Sequence, residues 1–200
     1  MSVILASQSP RRRELLGQMG FPDFIIRPAR GEEVVDPNLS PDALVEELSR
    51  QKAAEVATLS DQNDLVIAAD TVVAIDGTVL GKPRSVQDAF AMLSRLSGRH
   101  HTVYTGVTVR RGGEILTAHE ATRVRFRPLT HAEIEAYIST GEPMDKAGSY
   151  GIQGYGAMLV EGIDGDYFNV VGLPVCLLGR MLARFGVDTM KLAAQKEHKQ

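Results

Sequence analysis

The sequence predicts an α/β domain built on a mixed central sheet with helices around it. Three observations carry this expectation. Short apolar runs, Val3-Ile4-Leu5-Ala6 and Leu65-Val66-Ile67-Ala68-Ala69, alternate early with stretches of helical spacing. Two long strand-like segments, about Thr102–Arg110 and Ile115–Arg127, then meet at Gly112-Gly113, so the sheet is not a regular doubly wound one and α+β is the neighbouring class. The chain has 200 residues, 44% hydrophobic and 24% charged, which suits a globular protein with a sizeable core. One domain is expected over residues 1–189, followed by an irregular polar tail from Met190 to Gln200.

Val3 to Ala6 reads as a buried strand. Ser9 then takes the N-cap position, Pro10 the first helical position, and Gly20 the stop. Phe24-Ile25-Ile26 reads as a second strand, followed by a polar loop from Arg27 to Leu39. Ser40-Pro41 opens a helix with Leu44, Val45, Leu48, Val56 and Leu59 at helical spacing. Leu65–Ala69 is apolar throughout, as in a strand covered on both faces. It reaches Asp70-Thr71 and resumes as Val72-Val73-Ala74-Ile75; Asp76-Gly77 is a hairpin turn signal leading to Val79-Leu80. Ser85 and Asp88 start a helix that Gly98 ends, and Thr130 with Glu133 forms a capping box for one that Gly141 ends. His100-His101 begins a strand, and Arg123, Arg125 and Arg127 share its successor's solvated face. A glycine-rich loop runs from Asp145 to Gly156. Ala157–Val160 reads as a further strand, and Val175 to Phe185 as the final helix.

Composition excludes several classes. A net charge of -3 gives no global field for a nucleic acid polymer, so any anion site is local. The single cysteine, Cys176, rules out an internal disulfide framework, fits a reducing, cytoplasmic compartment, and reads as a small buried side chain, with a nucleophile as the alternative. No secretory signal is visible, and no apolar run approaches membrane-spanning length. There is no GxxxxGK[ST], GxSxG or HExxH, and the five histidines lack metal-ligand spacing.

The candidate chemistry lies at element ends. Arg11, Arg12 and Arg13 crowd the first turn of a helix, where the dipole is already positive; a bound anion resolves that conflict, and a solvated basic turn is the alternative. Ser7 and Ser9 add hydroxyls there. Asp70 breaks the most buried strand, which is costly unless the carboxylate is paired or binds a metal; a cap or turn role is the alternative. Glu33 and Asp70 together offer oxygens to a hard divalent cation. Lys82, fixed between Gly81 and Pro83, suits a polyphosphate or is a surface lysine; Lys52 sits in an amphipathic helix, where lysines ordinarily face solvent. Gln153 can read a base edge with its amide or brace its own loop.

Taken together these blocks resemble the Maf family of nucleoside triphosphate pyrophosphatases, historically called septum formation inhibitors. The likeness starts at Leu5-Ala6-Ser7-Gln8-Ser9-Pro10-Arg11-Arg12-Arg13-Glu14-Leu15-Leu16. It continues through Lys52-Ala53, Ala68-Ala69-Asp70-Thr71-Val72-Val73, Gly81-Lys82-Pro83, Asp145-Lys146-Ala147-Gly148 and Gly151-Ile152-Gln153-Gly154. It ends at Asn169-Val170-Val171-Gly172-Leu173-Pro174. The resemblance implies an elongated fold shared with inosine triphosphate pyrophosphatases, with a cleft between two lobes. It implies hydrolysis of a nucleoside triphosphate to the monophosphate and pyrophosphate with Mg²⁺ or Mn²⁺. In that scheme Ser7, Arg12, Lys52 and Lys82 hold the triphosphate. Glu33 and Asp70 bind metal, and Asp70 is the general base. Glu33 is taken over its neighbour Glu32 because its distance to Lys52 suits the family pattern. Arg12, Thr71 and Gln153 resemble the branch acting on dTTP and UTP, while non-standard nucleotides are further possible substrates. A homodimer is also implied. The rival expectation is a non-catalytic nucleotide-binding regulator of cell division.

Overall fold

Asp76 and Gly77 both take positive φ, 50° and 70°, which is the backbone a tight two-residue hairpin requires. The turn joins β3 (Leu65–Ile75) to β4 (Thr78–Leu80), pairing Val73 with Leu80 and Ile75 with Thr78. In the computed structural model, which describes residues 1–34 and 36–197, β3 lies inside a seven-stranded mixed sheet. The strand order is β2-β1-β3-β5-β6-β7, with β4 on β3. β1 (Val3–Leu5) runs parallel to both β2 (Ile25–Ile26) and β3, whereas β7 (Val160–Asp164) is antiparallel to β6 (Glu114–Phe126). β5 (His100–Arg111) precedes β6 across the Gly112-Gly113 turn. This is the expected mixed α/β class.

The helices are α1 (Pro10–Gln18), α2 (Pro41–Ala57), α3 (Val86–Leu96), α4 (His131–Ser139), the short α5 (Tyr167–Val171), α6 (Val175–Arg184) and α7 (Thr189–Glu197). Their starts follow the local chemistry. The Ser85 hydroxyl accepts from Asp88 N at 3.1 Å, and Thr130 with Glu133 closes the capping box on α4. Such caps contribute about 1 kcal/mol each.

The chain divides into two compact units. One comprises residues 1–70 and 105–120 and the chain from Gly172; the other comprises 71–104 and 121–171. In the first, Ile4, Ala6, Val66 and Ala68 of the sheet pack with Ala53 and Val56 of α2. Gly106 lets α2 approach β5, since a Cβ there would stand 2.2 Å from the Val45 carbonyl oxygen. In the second, Leu93 and Leu96 of α3 and Ile134, Tyr137 and Ile138 of α4 cover Val73, Val103, Val124 and Phe126.

Four expectations are corrected. The segment Tyr155–Leu159 is a 3₁₀ turn rather than the start of a strand; Ala157 and Met158 face solvent and only Val160 onward joins the sheet. Cys176 is exposed, because α6 turns its Leu178, Met181 and Leu182 face inward instead. Val175–Arg184 is not the last helix. Thr189–Glu197 is helical where an irregular tail was expected: Asp188 accepts from Lys191 N at 3.1 Å, and Gly20 leaves space for Ala193, whose N lies 2.6 Å from where a Gly20 Cβ would stand. Residues 198–200 of that tail lie outside the described residues. Among the described residues no helix is long and apolar enough to cross a membrane.

His101 opens β5 as expected, and its burial has a measurable consequence. The ring is 3% exposed, Nε2 shares a 2.8 Å hydrogen bond with the Tyr150 hydroxyl, and Phe126 and Tyr150 pack edge-on against it. Burial, then the nearby His100 charge, pushes its pKa down from 6.5 to about 4. The unfolded chain therefore takes up this proton first as pH falls. Stability is full above about pH 6.5 and declines by about 3 kcal/mol as pH approaches 4. Thermal melts between pH 7 and 4.5 are expected to show this slope, flattened in His101→Gln; an unchanged slope would remove His101 from acid unfolding.

Candidate active site

The basic first turn of α1 does not simply face water. Ser9 caps the helix, its hydroxyl accepting from Arg12 N at 3.5 Å, and Ser7 Oγ accepts from Ser9 N at 3.2 Å. Arg12 folds back over the ends of the parallel strands. Its Nε donates to Gly172 O at 2.7 Å, and its Nη1 donates to Ala69 O at 2.8 Å and to Ser7 Oγ at 3.3 Å. One planar fork thus ties together the loop after β1, the middle of β3 and the loop ahead of α6. Burial lowers the Arg12 pKa, Asp70 raises it and Arg11 lowers it again; the guanidinium stays protonated throughout the neutral range. Arg13 is exposed.

One residue past Ala69, the carboxylate of Asp70 is 16% exposed and pairs with the Lys52 ammonium. β3 continues unbroken through Asp70 and Thr71, so Asp70 is neither a cap nor a turn residue. Lys52 is not a solvent-facing helix lysine either: its side chain is 19% exposed, and Nζ also lies 2.9 Å from Glu33 Oε1. Glu33 itself is 51% exposed in its loop. Glu33 and Asp70 therefore share a single cation. Two carboxylates around one positive centre form a donor set that suits a hard divalent ion, with its remaining positions left to water and phosphate oxygens. Among the described residues no group of three or more His, Cys, Asp or Glu side chains is placed to hold a metal without such help.

Ser7, Arg12, Glu33, Lys52 and Asp70 all belong to the first unit. Thr71, Lys82 and Gln153 belong to the second. Lys82 is exposed in its Gly81–Pro83 turn, and Gly81 O accepts from Gly148 N at 3.0 Å, which joins that turn to the glycine-rich loop. Gln153 is exposed in a turn closed from Gly154 N to Gly151 O at 3.4 Å, and its amide makes no hydrogen bond among the described residues.

Three contributors escape sequence reasoning. The carbonyls of Ala69 and Gly172 anchor Arg12, and backbone acceptors leave no trace in residue type. Glu142 organises the glycine-rich loop. Its Oε1 accepts from Tyr137 Oη at 2.8 Å and from Gly156 N at 3.0 Å, and its Oε2 accepts from Tyr155 N at 2.8 Å. The only signal for it was the density of glycines that make room for it.

A mixed α/β sheet with a serine, an arginine, a lysine and two carboxylates gathered beside β3 has the groups that could meet phosphate oxygens. Residues 2–185 match the family model described as Maf-like protein, and the chain belongs to that family. A dTTP/UTP pyrophosphatase of Moorella thermoacetica is 57% identical over 190 residues, covering 93% of this chain and 96% of its own. A dTTP/UTP pyrophosphatase of Bacillus pumilus is 52% identical over 185 residues, covering 92% and 97%. Among solved structures, a HAM1 protein from Coxiella burnetii shares the fold, with a TM-score of 0.52 at 15% identity over 92% of this chain and 99% of that one.

Proposed function

We propose that the protein is a nucleoside triphosphate pyrophosphatase that hydrolyses dTTP and UTP to the monophosphate and pyrophosphate. The single observation that carries the mechanism is the pairing of Glu33 and Asp70 on one cationic centre beside the Arg12 clamp. The names of relatives more than 50% identical over nearly their whole length support the substrate.

In this reading Ser7, Arg12 and Lys52 bind the triphosphate, and Lys82 takes further phosphate charge. Glu33 and Asp70 would hold Mg²⁺ or Mn²⁺, which when bound supplies Lewis-acid polarisation and charge neutralisation of the phosphates. Asp70 takes the proton from water as the water oxygen bonds to phosphorus, and the α–β phosphoanhydride bond breaks with pyrophosphate leaving. Arg12 and Lys52 offset the charge that grows on the departing oxygens. Thr71 and Gln153 act in base selection with Arg12. A neutral amide offers one donor and one acceptor, which matches the edge of uracil or thymine. Residues 1–189 acting as one domain, a homodimer and a cytoplasmic location complete the proposal, and the family resemblance supports them.

A panel of nucleotides with Mg²⁺ or Mn²⁺, scored for both products, tests it. dTTP and UTP are expected to give monophosphate and pyrophosphate. Orthophosphate plus diphosphate would overturn the reaction, and nucleotide binding with no pyrophosphate release would favour a binding regulator of cell division.

A further inference from the structure

We propose that Glu142, together with Tyr137, is the positioning residue that sets the glycine-rich loop carrying Gln153 and thereby fixes the enzyme's base preference. The inference rests on the reading of Gln153 as the base-selecting side chain. It starts from how the loop is tethered. On the far side of Gln153, the Glu142 carboxylate accepts from two consecutive backbone amides, Tyr155 N at 2.8 Å and Gly156 N at 3.0 Å. On the near side, Gly151 N donates at 3.2 Å to the Tyr137 hydroxyl, which in turn donates to Glu142 Oε1 at 2.8 Å. Both flanks of the Gln153 turn therefore end on one carboxylate, directly or through one buried phenol.

The fit is close. A Cβ at Gly154 would lie 2.1 Å from Glu142 Oε2, and one at Gly156 would lie 2.6 Å from Gly151 O and 2.8 Å from Tyr137 Oη. Lys146 completes the base of the assembly: its Nζ donates to Glu142 O at 2.7 Å, and its Cε lies 2.7 Å from where a Gly151 Cβ would stand. Burial raises the Glu142 pKa, but the bonds from Gly156 N, Tyr137 and Tyr155 N, with the Lys146 charge, outweigh it and hold the carboxyl below its usual range. The brace is thus ionised at neutral pH. The backbone on both sides of Gln153 is tethered at Gly151, Tyr155 and Gly156, while Gln153 itself is exposed. That is the arrangement a selective contact needs: a side chain presented by a backbone that cannot drift.

Glu142→Gln tests this. An amide keeps one acceptor oxygen and turns an NH₂ toward donors, so at least one tether is lost while α4 and its core contacts remain. The KM for dTTP and UTP is expected to rise about tenfold with kcat within about twofold, and the preference for dTTP over dCTP to fall by a similar factor. Tyr137→Phe removes only the Gly151 tether and is expected to raise KM about threefold. Hydrogen exchange at the Tyr155 and Gly156 amides, measured without substrate, is expected to quicken about tenfold in Glu142→Gln while the Val66–Ala68 amides stay protected. An unchanged dTTP-to-dCTP preference in Glu142→Gln, or equal losses for every nucleotide, would overturn the proposal. So would unchanged exchange at Tyr155 and Gly156. A wild-type protein releasing no pyrophosphate from dTTP or UTP would instead overturn the underlying function, leaving the exchange measurement to judge the brace.

Discussion

Asp70→Asn is expected to lower kcat for pyrophosphate release by about 10²–10⁴-fold while nucleotide binding stays within a few-fold of the wild type. The argument is local. The Asp70 carboxylate is the one acidic group on β3 between Leu65 and Ile75, and it stands one residue past the carbonyl that anchors Arg12. An amide is nearly isosteric, so Ala69 O keeps its place and Arg12 keeps its clamp. What is lost is a proton acceptor and a negative charge. Lys52 then faces Glu33 alone at 2.9 Å, a half-exposed pair that contributes at most about 1 kcal/mol. Binding of a polyphosphate draws chiefly on the cationic side chains, none of which is removed, and Glu33 with the amide oxygen that replaces the carboxylate would remain to hold the metal. Continuous pyrophosphate release and equilibrium binding of a non-hydrolysable dTTP analogue, measured on the same preparation, separate the two effects. A variant with a tenth or more of the wild-type rate would show that the base lies elsewhere. Loss of binding and rate together would make Asp70 a binding residue first.

Much of the fold was legible because several local signals agreed at each position. In the first unit Ser9, Pro10 and Gly20 bracket α1, and in the second Asp76-Gly77 marks the β3–β4 turn. Asp70 stood out because a charge in an apolar strand is costly, so its exception to the pattern was itself the signal. The rest depended on long-range partners. The spacing of α2 places Lys52 on a face that periodicity assigns to water, but Glu33 and Asp70, far from it along the chain, claim its ammonium. The Ala157–Leu159 run looks strand-like until Glu142 fixes Tyr155 and Gly156 in a tight turn just before it. The helix at Thr189–Glu197 has weak apolar periodicity and gains its place from Asp188 and the gap at Gly20. The three arginines show the boundary best: residue type marks an anion site, but only geometry separates the clamped Arg12 from the exposed Arg13.

Arg12→Lys tests whether that clamp also serves the nucleotide. Lysine keeps the charge and most of the length, so a purely coulombic role would survive it. The guanidinium, however, reaches Gly172 O through Nε and both Ala69 O and Ser7 Oγ through Nη1, directions that a single ammonium cannot satisfy together. Charged hydrogen bonds to half-buried carbonyls contribute about 1.5–3 kcal/mol each, and lysine retains part of this, so a net loss of about 2–4 kcal/mol is expected. For a chain of this length that lowers the melting temperature by about 5–12 °C. The loop after β1 that carries Ser7 and the middle of β3 that carries Asp70 lose their common tie, and kcat/KM for dTTP is expected to fall about 10²-fold even at temperatures where the variant is fully folded. The two readouts divide the possibilities. An unchanged melting temperature would mean that the carbonyl bonds contribute nothing net. A lower melting temperature with full activity per folded molecule would confine Arg12 to holding β1, β3 and the α6 loop together, and the phosphate contacts would then pass to Lys52 and Ser7.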